Sequence, residues 1–89
     1  LQWIIPNAQK NTMEPILLTL EQGGSTYPDN PHEGEEFGYV LKGSVEIHIG
    51  GKIYKAKKGE SFYYEAKYNH HIESKKGATI IWVSSPPSF

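Results

Sequence analysis

Residues 45–56 carry the feature that most restricts how this chain can fold. Apolar and polar residues alternate from Val45 to Ile49, a Gly50-Gly51 pair interrupts the pattern, and the alternation then resumes. A period of two residues places the apolar side chains on one face, as in a β-strand with one buried side. Two such runs joined by a pair of glycines predict a tight β-hairpin.

The remainder of the chain repeats this pattern of short strands separated by turns. Helical periodicity is almost absent, and the nine Gly and six Pro recur too often for long helices. The pattern predicts strands at 2–5, 15–20, 36–42, 45–49, 52–56, 61–64, 70–74 and 79–83. Strands at this spacing favour an all-β fold, a small antiparallel barrel without substantial helix, in one domain covering residues 1–89.

The composition excludes several classes of function. The chain has no Cys, so a disulfide framework, a zinc-thiolate site and a thiol nucleophile are all excluded. Its net charge is −1, and its nine basic residues are all Lys, without the basic stripe typical of proteins that bind nucleic acids. No apolar run approaches the length of a membrane span. We therefore expect a cytoplasmic chain that binds neither DNA nor membrane by itself.

Polar residues that suit a binding site lie on one face of an extended segment. Asn30, His32 and Glu36 are all even-numbered, so an extended backbone would point them the same way, together with Gly38. A glycine facing inwards would leave volume for a ligand. His70 begins a later strand and would join them. The predicted ligand-binding residues are Asn30, His32, Glu36, Gly38, His70 and Ile72.

Three of these residues are candidate metal ligands. Two imidazoles and one carboxylate, from His32, His70 and Glu36, form a set that binds divalent metals such as Zn, Fe, Mn or Ni and leaves coordination positions open. The alternative is that these side chains only bind one another by hydrogen bonds. His71 must point away from this site if His70 points into it, and His48 shares the polar strand face with Glu46.

The spacing of these residues resembles the two sequence motifs of the cupin superfamily. Gly24-x5-Asn30-x-His32-x3-Glu36-x6-Gly43 is similar to the first motif, except that the family normally has His at the position of Asn30. Gly59-x10-His70 is similar to the second motif. The resemblance implies a jelly-roll barrel in which the positions of Asn30, His32, Glu36 and His70 bind a metal, with that binding weakened by Asn30.

A narrower resemblance concerns the stretches 32–43 and 82–89. Both are similar to the C-terminal cupin domain of bacterial helix-turn-helix regulators of the xenobiotic-response-element type. This resemblance implies a domain that senses a small-molecule effector and forms a homodimer. Because the chain begins with Leu1 rather than Met, we expect it to be the C-terminal part of a longer regulator, whose N-terminal domain binds DNA.

Two other functions remain open at this point. One is a small metal-dependent cupin enzyme, such as a dioxygenase, isomerase or decarboxylase. The other is a free-standing binding protein. A nucleophile with an adjacent base is not evident, and the loss of the first His disfavours metal catalysis, so we expect a sensor rather than an enzyme. The identity of the effector does not follow from the sequence.

Overall fold

The computed structural model describes residues 1–6 and 10–89, and it forms an antiparallel β-barrel. The described residues contain seven strands and no α-helix, which confirms the predicted all-β class, although the sequence predicted eight strands. The strands are β1 (Gln2–Trp3), β2 (Glu14–Leu20), β3 (Glu35–Ile49), β4 (Lys52–Lys57), β5 (Ser61–Glu65), β6 (His70–Glu73) and β7 (Ala78–Ser85).

The long strand β3 holds the barrel together because it belongs to both of its walls. Its first part pairs with β7 on one side and with β5 on the other. Its second part pairs with β4 and β6. The strand order is β1-β2-β7-β3-β4, with β5 and β6 beside different stretches of β3. One wall therefore consists of β1, β2, β7, β3 and β5, and the other of β4, β3 and β6.

The continuity of β3 corrects one prediction. The sequence predicted two strands, 36–42 and 45–49, separated by a turn around Gly43, whereas the structure has one strand with a bulge between Val40 and Lys42. Gly43 has a left-handed backbone (φ +73°), and this bends the strand from one wall into the other without ending it. The predicted strand 2–5 is also shorter, since it ends at Trp3.

The bend requires a glycine, which gives a prediction about stability. A Cβ at Gly43 would lie 2.1 Å from the carbonyl oxygen of Gly77, whereas a Cβ at Gly59 (φ +85°) would have no atom within 4 Å. Both positions have left-handed backbones, so only the clash distinguishes them. We expect Gly43→Ala to reduce the free energy of unfolding by about 2 kcal/mol more than Gly59→Ala, as measured by urea denaturation. Equal losses would show that the approach of Gly43 to Gly77 does not matter.

The side chains inside the barrel are arranged in rows across the strands. One row, near an open end, is polar and consists of Glu14, Ser84, Glu36 and Tyr64. The next row is apolar and contains Ile16, Trp82, Gly38 and Phe62, two of them aromatic. Beyond it lies an aliphatic core that includes Val40, Val45, Ile47, Ile72 and Ile80. The polar row thus places two buried carboxylates, those of Glu14 and Glu36, at one end of the barrel interior.

Candidate functional site: a buried histidine–carboxylate cluster

Three segments bring the cluster together at the polar end of the barrel. His32 lies just before β3, and Glu36 is the second residue of that strand. His70 is the first residue of β6, where its backbone pairs with that of Asp29. Antiparallel pairing puts the side chains of Asp29 and His70 on the same face, so both point towards Glu36.

Glu36 is at the centre of this cluster. Its Oε2 lies 3.1 Å from Nε2 of His32 and 3.3 Å from Nε2 of His70. Oδ2 of Asp29 lies 3.5 Å from the same His70 nitrogen. Glu36 and His70 are each 1% exposed, whereas Asp29 is partly open to solvent. Ligand atoms of the four side chains lie within 4.8 Å of one another.

The backbone fixes the tautomer of both imidazoles. Nδ1 of His32 lies 3.0 Å from the carbonyl oxygen of Glu33, and Nδ1 of His70 lies 2.9 Å from that of Tyr68. A carbonyl oxygen can only accept, so each Nδ1 carries a hydrogen and donates it. In a neutral imidazole the lone pair is then on Nε2, which is the atom that faces Glu36. Histidines that bind metals through Nε2 are commonly oriented by this kind of bond.

The atoms at the centre of the cluster lack hydrogen-bond partners. Among the residues that the structure describes, Nε2 of His32, Oε2 of Glu36 and Nε2 of His70 are all buried without one. Buried polar atoms normally have a partner, and each unsatisfied one costs about 1–3 kcal/mol. A divalent cation would be bound by all three atoms at once. Their spacing also suits ligands whose bonds to one ion are each about 2.1 Å long.

The structure does not bring Asn30 into the cluster, which corrects the expected position of the fourth residue. Asn30 is exposed, and Asp29 points into the site instead. The parity argument assumed an extended chain from residue 30 to residue 36. The backbone is irregular between them and includes a left-handed Gly34 (φ +114°), so the alternation does not continue across this segment. The fourth side chain of the cluster is therefore a carboxylate.

The two apolar positions predicted to bind ligand lie elsewhere in the interior. A Cβ at Gly38 would lie 2.1 Å from the ring of Phe62, so this aromatic side chain fills the volume that the glycine leaves. An aromatic ring packed over a cross-strand glycine is a known way of compensating for the missing side chain. Ile72 is fully buried in the hydrophobic core. Both residues thus have a packing role in this structure.

A cavity of about 640 Å³ lies beside the cluster, and Tyr64 separates the two. Tyr64 is in the cavity wall, its hydroxyl donates a hydrogen bond to Oε1 of Glu36, and its ring lies 5.2 Å from that of His70. The wall is rich in aromatic rings, with two lysines. It consists of Ile47, Ile49, Tyr54, Lys55, Ser61, Phe62, Tyr63, Tyr64, Glu65, Lys67 and Tyr68.

Two neighbouring tyrosines make the same kind of bond in different environments. Burial, reinforced by the Glu36 carboxylate, raises the pKa of Tyr64 far above its ordinary value, so its hydroxyl remains a donor. Tyr63 is on the outer face, where a hydrogen bond to Glu35 raises its pKa to about 12. Tyr64 thus orients a potential metal ligand, whereas the partner of Tyr63, Glu35, lies outside the cluster.

This difference gives a matched pair of variants. Tyr64→Phe removes the hydroxyl that orients Glu36, and we expect it to weaken the binding of a divalent metal by about 10- to 100-fold, as is usual for such supporting bonds. Tyr63→Phe removes the equivalent hydroxyl from the surface and should leave the affinity unchanged. Calorimetric titration of both variants with Zn²⁺ is the measurement. Equal affinities would mean that Tyr64 does not support the site.

The barrel and its inward-facing histidines and glutamate define a small cupin-like domain. The cupin domain family matches residues 16–84, which is most of the chain. The chain therefore belongs to the cupin family. No functionally curated protein matches it significantly.

Solved structures show the same fold at low sequence identity. An HTH_3 family transcriptional regulator from Vibrio cholerae is 18% identical with a TM-score of 0.83, and the match covers 97% of this chain and 49% of the regulator. The Cupin_2 domain of an XRE family transcriptional regulator from Enterobacter cloacae is 15% identical with a TM-score of 0.82, covering 98% and 95% of the two chains. KdgF from Halomonas sp. is 18% identical with a TM-score of 0.75, covering 86% and 71%.

Sequence reasoning missed Asp29 and left Tyr64 undecided. Tyr63 and Tyr64 occupy opposite faces of one strand, and alternation alone does not show which of them points inwards. The register provides the answer, because Tyr64 pairs with Glu36. The sequence does not single out Asp29, because Pro31 favours an extended backbone at Asn30 and the irregularity lies further on, at the left-handed Gly34.

Proposed function

We propose that this chain is the small-molecule-sensing and dimerisation domain of a helix-turn-helix transcriptional regulator, with a divalent cation in its barrel. One observation carries the proposal: Tyr64 contacts both the buried cluster and the adjacent cavity. Binding in the cavity can therefore act on the cluster through one side chain. The similarity to cupin domains of two bacterial regulators, over nearly the whole chain, supports the regulatory role.

The cation would be held by His32, Glu36 and His70, with Asp29 at the solvent side. Two imidazoles and one carboxylate suit Zn, Fe, Mn or Ni and leave positions open. When bound, the metal would attract an oxygen or nitrogen donor of a small ligand. The protein's own residues would fix the imidazole orientation through the carbonyls of Glu33 and Tyr68 and would keep bulk water from Glu36.

The cavity indicates the type of effector. Five of its wall residues are aromatic, and of its two lysines Lys67 is paired with Glu65 at 3.0 Å, which leaves Lys55 as the cation that can attract an anionic group. Its volume is in the range of known small-molecule sites. We infer that it takes a small organic molecule with an apolar or aromatic body and an anionic or metal-binding group.

Dimerisation would use the outer face of the five-stranded wall. Two rows of side chains cross this face, and no residue in them is charged. Phe37, Tyr39 and Tyr63 are 41%, 38% and 59% exposed. The rows are Pro15, Val83, Phe37 and Tyr63, and then Leu17, Ile81, Tyr39 and Ser61. Two adjacent uncharged rows of this kind suit a second copy of the chain related by twofold symmetry.

In this proposal DNA binding belongs to a separate N-terminal domain, and the whole protein acts in the cytoplasm. The match to the Vibrio cholerae regulator covers 49% of that protein, which leaves room for such a domain there. No helix in the described ranges is long and apolar enough to cross a membrane. Reading the gene upstream of Leu1 tests the proposal. A helix-turn-helix pattern is expected, and a start codon directly before Leu1 would overturn the regulator assignment.

A metal-dependent enzyme is the second candidate, because His32, Glu36 and His70 form the kind of triad that also serves non-haem iron enzymes. The two functions differ in what happens to a bound molecule. The metal-loaded chain can be incubated with compounds that raise its melting temperature and then analysed by mass spectrometry. Compounds that are recovered unchanged support the sensor. A new product whose amount increases steadily with time supports the enzyme.

A further inference from the structure

A second cluster of histidines and carboxylates lies on the outer face of the three-stranded wall. His48 and Glu46 on β3 are the cross-strand partners of His71 and Glu73 on β6. Their neighbours Ile47 and Ile72 point into the core, so these four side chains point outwards. His70 and His71 are consecutive, and each therefore belongs to a different cluster on a different side of the wall.

The imidazoles of the outer cluster are aligned on one carboxylate. The rings of His48 and His71 are stacked, with centroids 4.3 Å apart and planes inclined by 14°. Nε2 of His48 lies 2.8 Å from Oε1 of Glu73, and Nε2 of His71 lies 3.6 Å from Oε2 of the same residue. Both ring nitrogens thus point to the two oxygens of one carboxylate, and ligand atoms of all three residues lie within 4.8 Å of one another.

The surroundings hold these side chains in place without closing the site. The side chains of His48, His71 and Glu73 are 23%, 26% and 36% exposed, so each is partly packed and partly open to solvent. Glu46 is beside them, 15% exposed and 3.6 Å from the Lys75 ammonium group. An ion here would replace the contacts that His48 and His71 make with Glu73, and its open side would face water.

We propose that His48, His71 and Glu73 form a second, outer site for a divalent transition-metal ion, independent of the site inside the barrel. Two imidazole nitrogens and a carboxylate, with solvent at the open positions, favour zinc and similar ions over calcium or magnesium, which prefer oxygen ligands. A bound ion would link β3 to β6. Since β6 also provides His70, the outer ion would restrain the strand that supports the inner cluster.

The test is a zinc titration of the folded chain, followed through the side-chain nitrogen resonances of its four histidines by NMR. We expect His48 and His71 to respond as a pair, at a zinc concentration different from that which affects His32 and His70. His71→Gln and the milder Glu73→Gln should each weaken the outer response by more than about tenfold. Ile53→Thr, which changes the β4 neighbour of His48 but no ligand, should not weaken it.

The resonances of the four histidines distinguish zinc binding at the outer site from zinc binding at the inner site. His48 and His71 signals that do not move in a folded, zinc-saturated protein would overturn the outer site, as would unchanged zinc affinity in Glu73→Gln. A response of His48 and His71 without one from His32 and His70 would support the outer site and contradict the inner one. Should His71→Gln fail to fold, Glu73→Gln still decides the question, because it removes a ligand without changing the size of the side chain.

Discussion

Replacing Glu36 by Gln is expected to weaken divalent-metal binding by about 100- to 1,000-fold and to stabilise the metal-free protein. Metal affinity is lost because the substitution removes the charge of Glu36, which is 1% exposed and lies next to the Nε2 atoms of both histidines. The metal-free protein gains stability because the new side chain can form an additional hydrogen bond. The Gln carbonyl can still accept from Tyr64, and its amide can donate to the lone pair of a neighbouring imidazole, which the carboxylate cannot do.

The expected gain in the free energy of unfolding is that of giving one buried polar atom a hydrogen-bond partner. It should be about 1 kcal/mol, which for a chain of this length raises the melting temperature by about 4–8 °C. The adjacent Glu35→Gln is the matched control, because Glu35 forms the same kind of bond to Tyr63 on the exposed face. It should change neither metal affinity nor melting temperature appreciably. A loss of stability in metal-free Glu36→Gln would mean that the carboxylate serves packing rather than metal binding.

Replacing Phe37 by Asp is expected to convert a homodimer into a monomer. The chain has a mass of 10.0 kDa, so light scattering should give about twice that value for the wild type and about that value for the variant. Phe37 lies in one of the two uncharged rows of this outer face, between Val83 and Tyr63. Burying an unpaired carboxylate there, together with the loss of an aromatic anchor, should weaken association by about 100-fold or more.

Ile53→Asp is the control for this experiment. Ile53 is also an exposed strand residue, at 57%, but it lies on the other wall beside His48. The variant should remain a dimer. If Ile53→Asp becomes monomeric and Phe37→Asp does not, the dimer interface lies on the three-stranded wall and not on the five-stranded one. Circular dichroism should show that both variants keep their strands.

The sequence was sufficient to predict the all-β barrel because alternation and glycine-rich turns are local signals. It was also sufficient to select Glu36, His32 and His70, since the motif spacing is independent of the intervening backbone. It was insufficient where neighbouring strands decide the outcome. Gly43 resembles a turn residue, and only the change of partner strands along β3 shows that it is a bend. Nothing near Gly38 in the sequence reveals that Phe62 packs over it.

The outer cluster shows the same limitation. The alternation of side chains along each strand places His48 and His71 on the surface. Whether their imidazoles lie side by side depends on the register between β3 and β6. A shift of one residue would pair His48 with an inward-pointing residue and would separate the two imidazoles. Asn30 and Asp29 are a further example, because an irregular loop between two regular strands cannot be assigned faces by counting residues.

The proposed cation site inside the barrel lies between His32, Glu36 and His70. Anomalous diffraction at the zinc absorption edge, from crystals grown with zinc, tests it most directly because it locates the ion among named atoms. We expect an anomalous peak within bonding distance, about 2.0–2.2 Å, of Nε2 of both histidines and of a carboxylate oxygen of Glu36. Zinc bound elsewhere on the molecule, with no peak at these atoms, would contradict it.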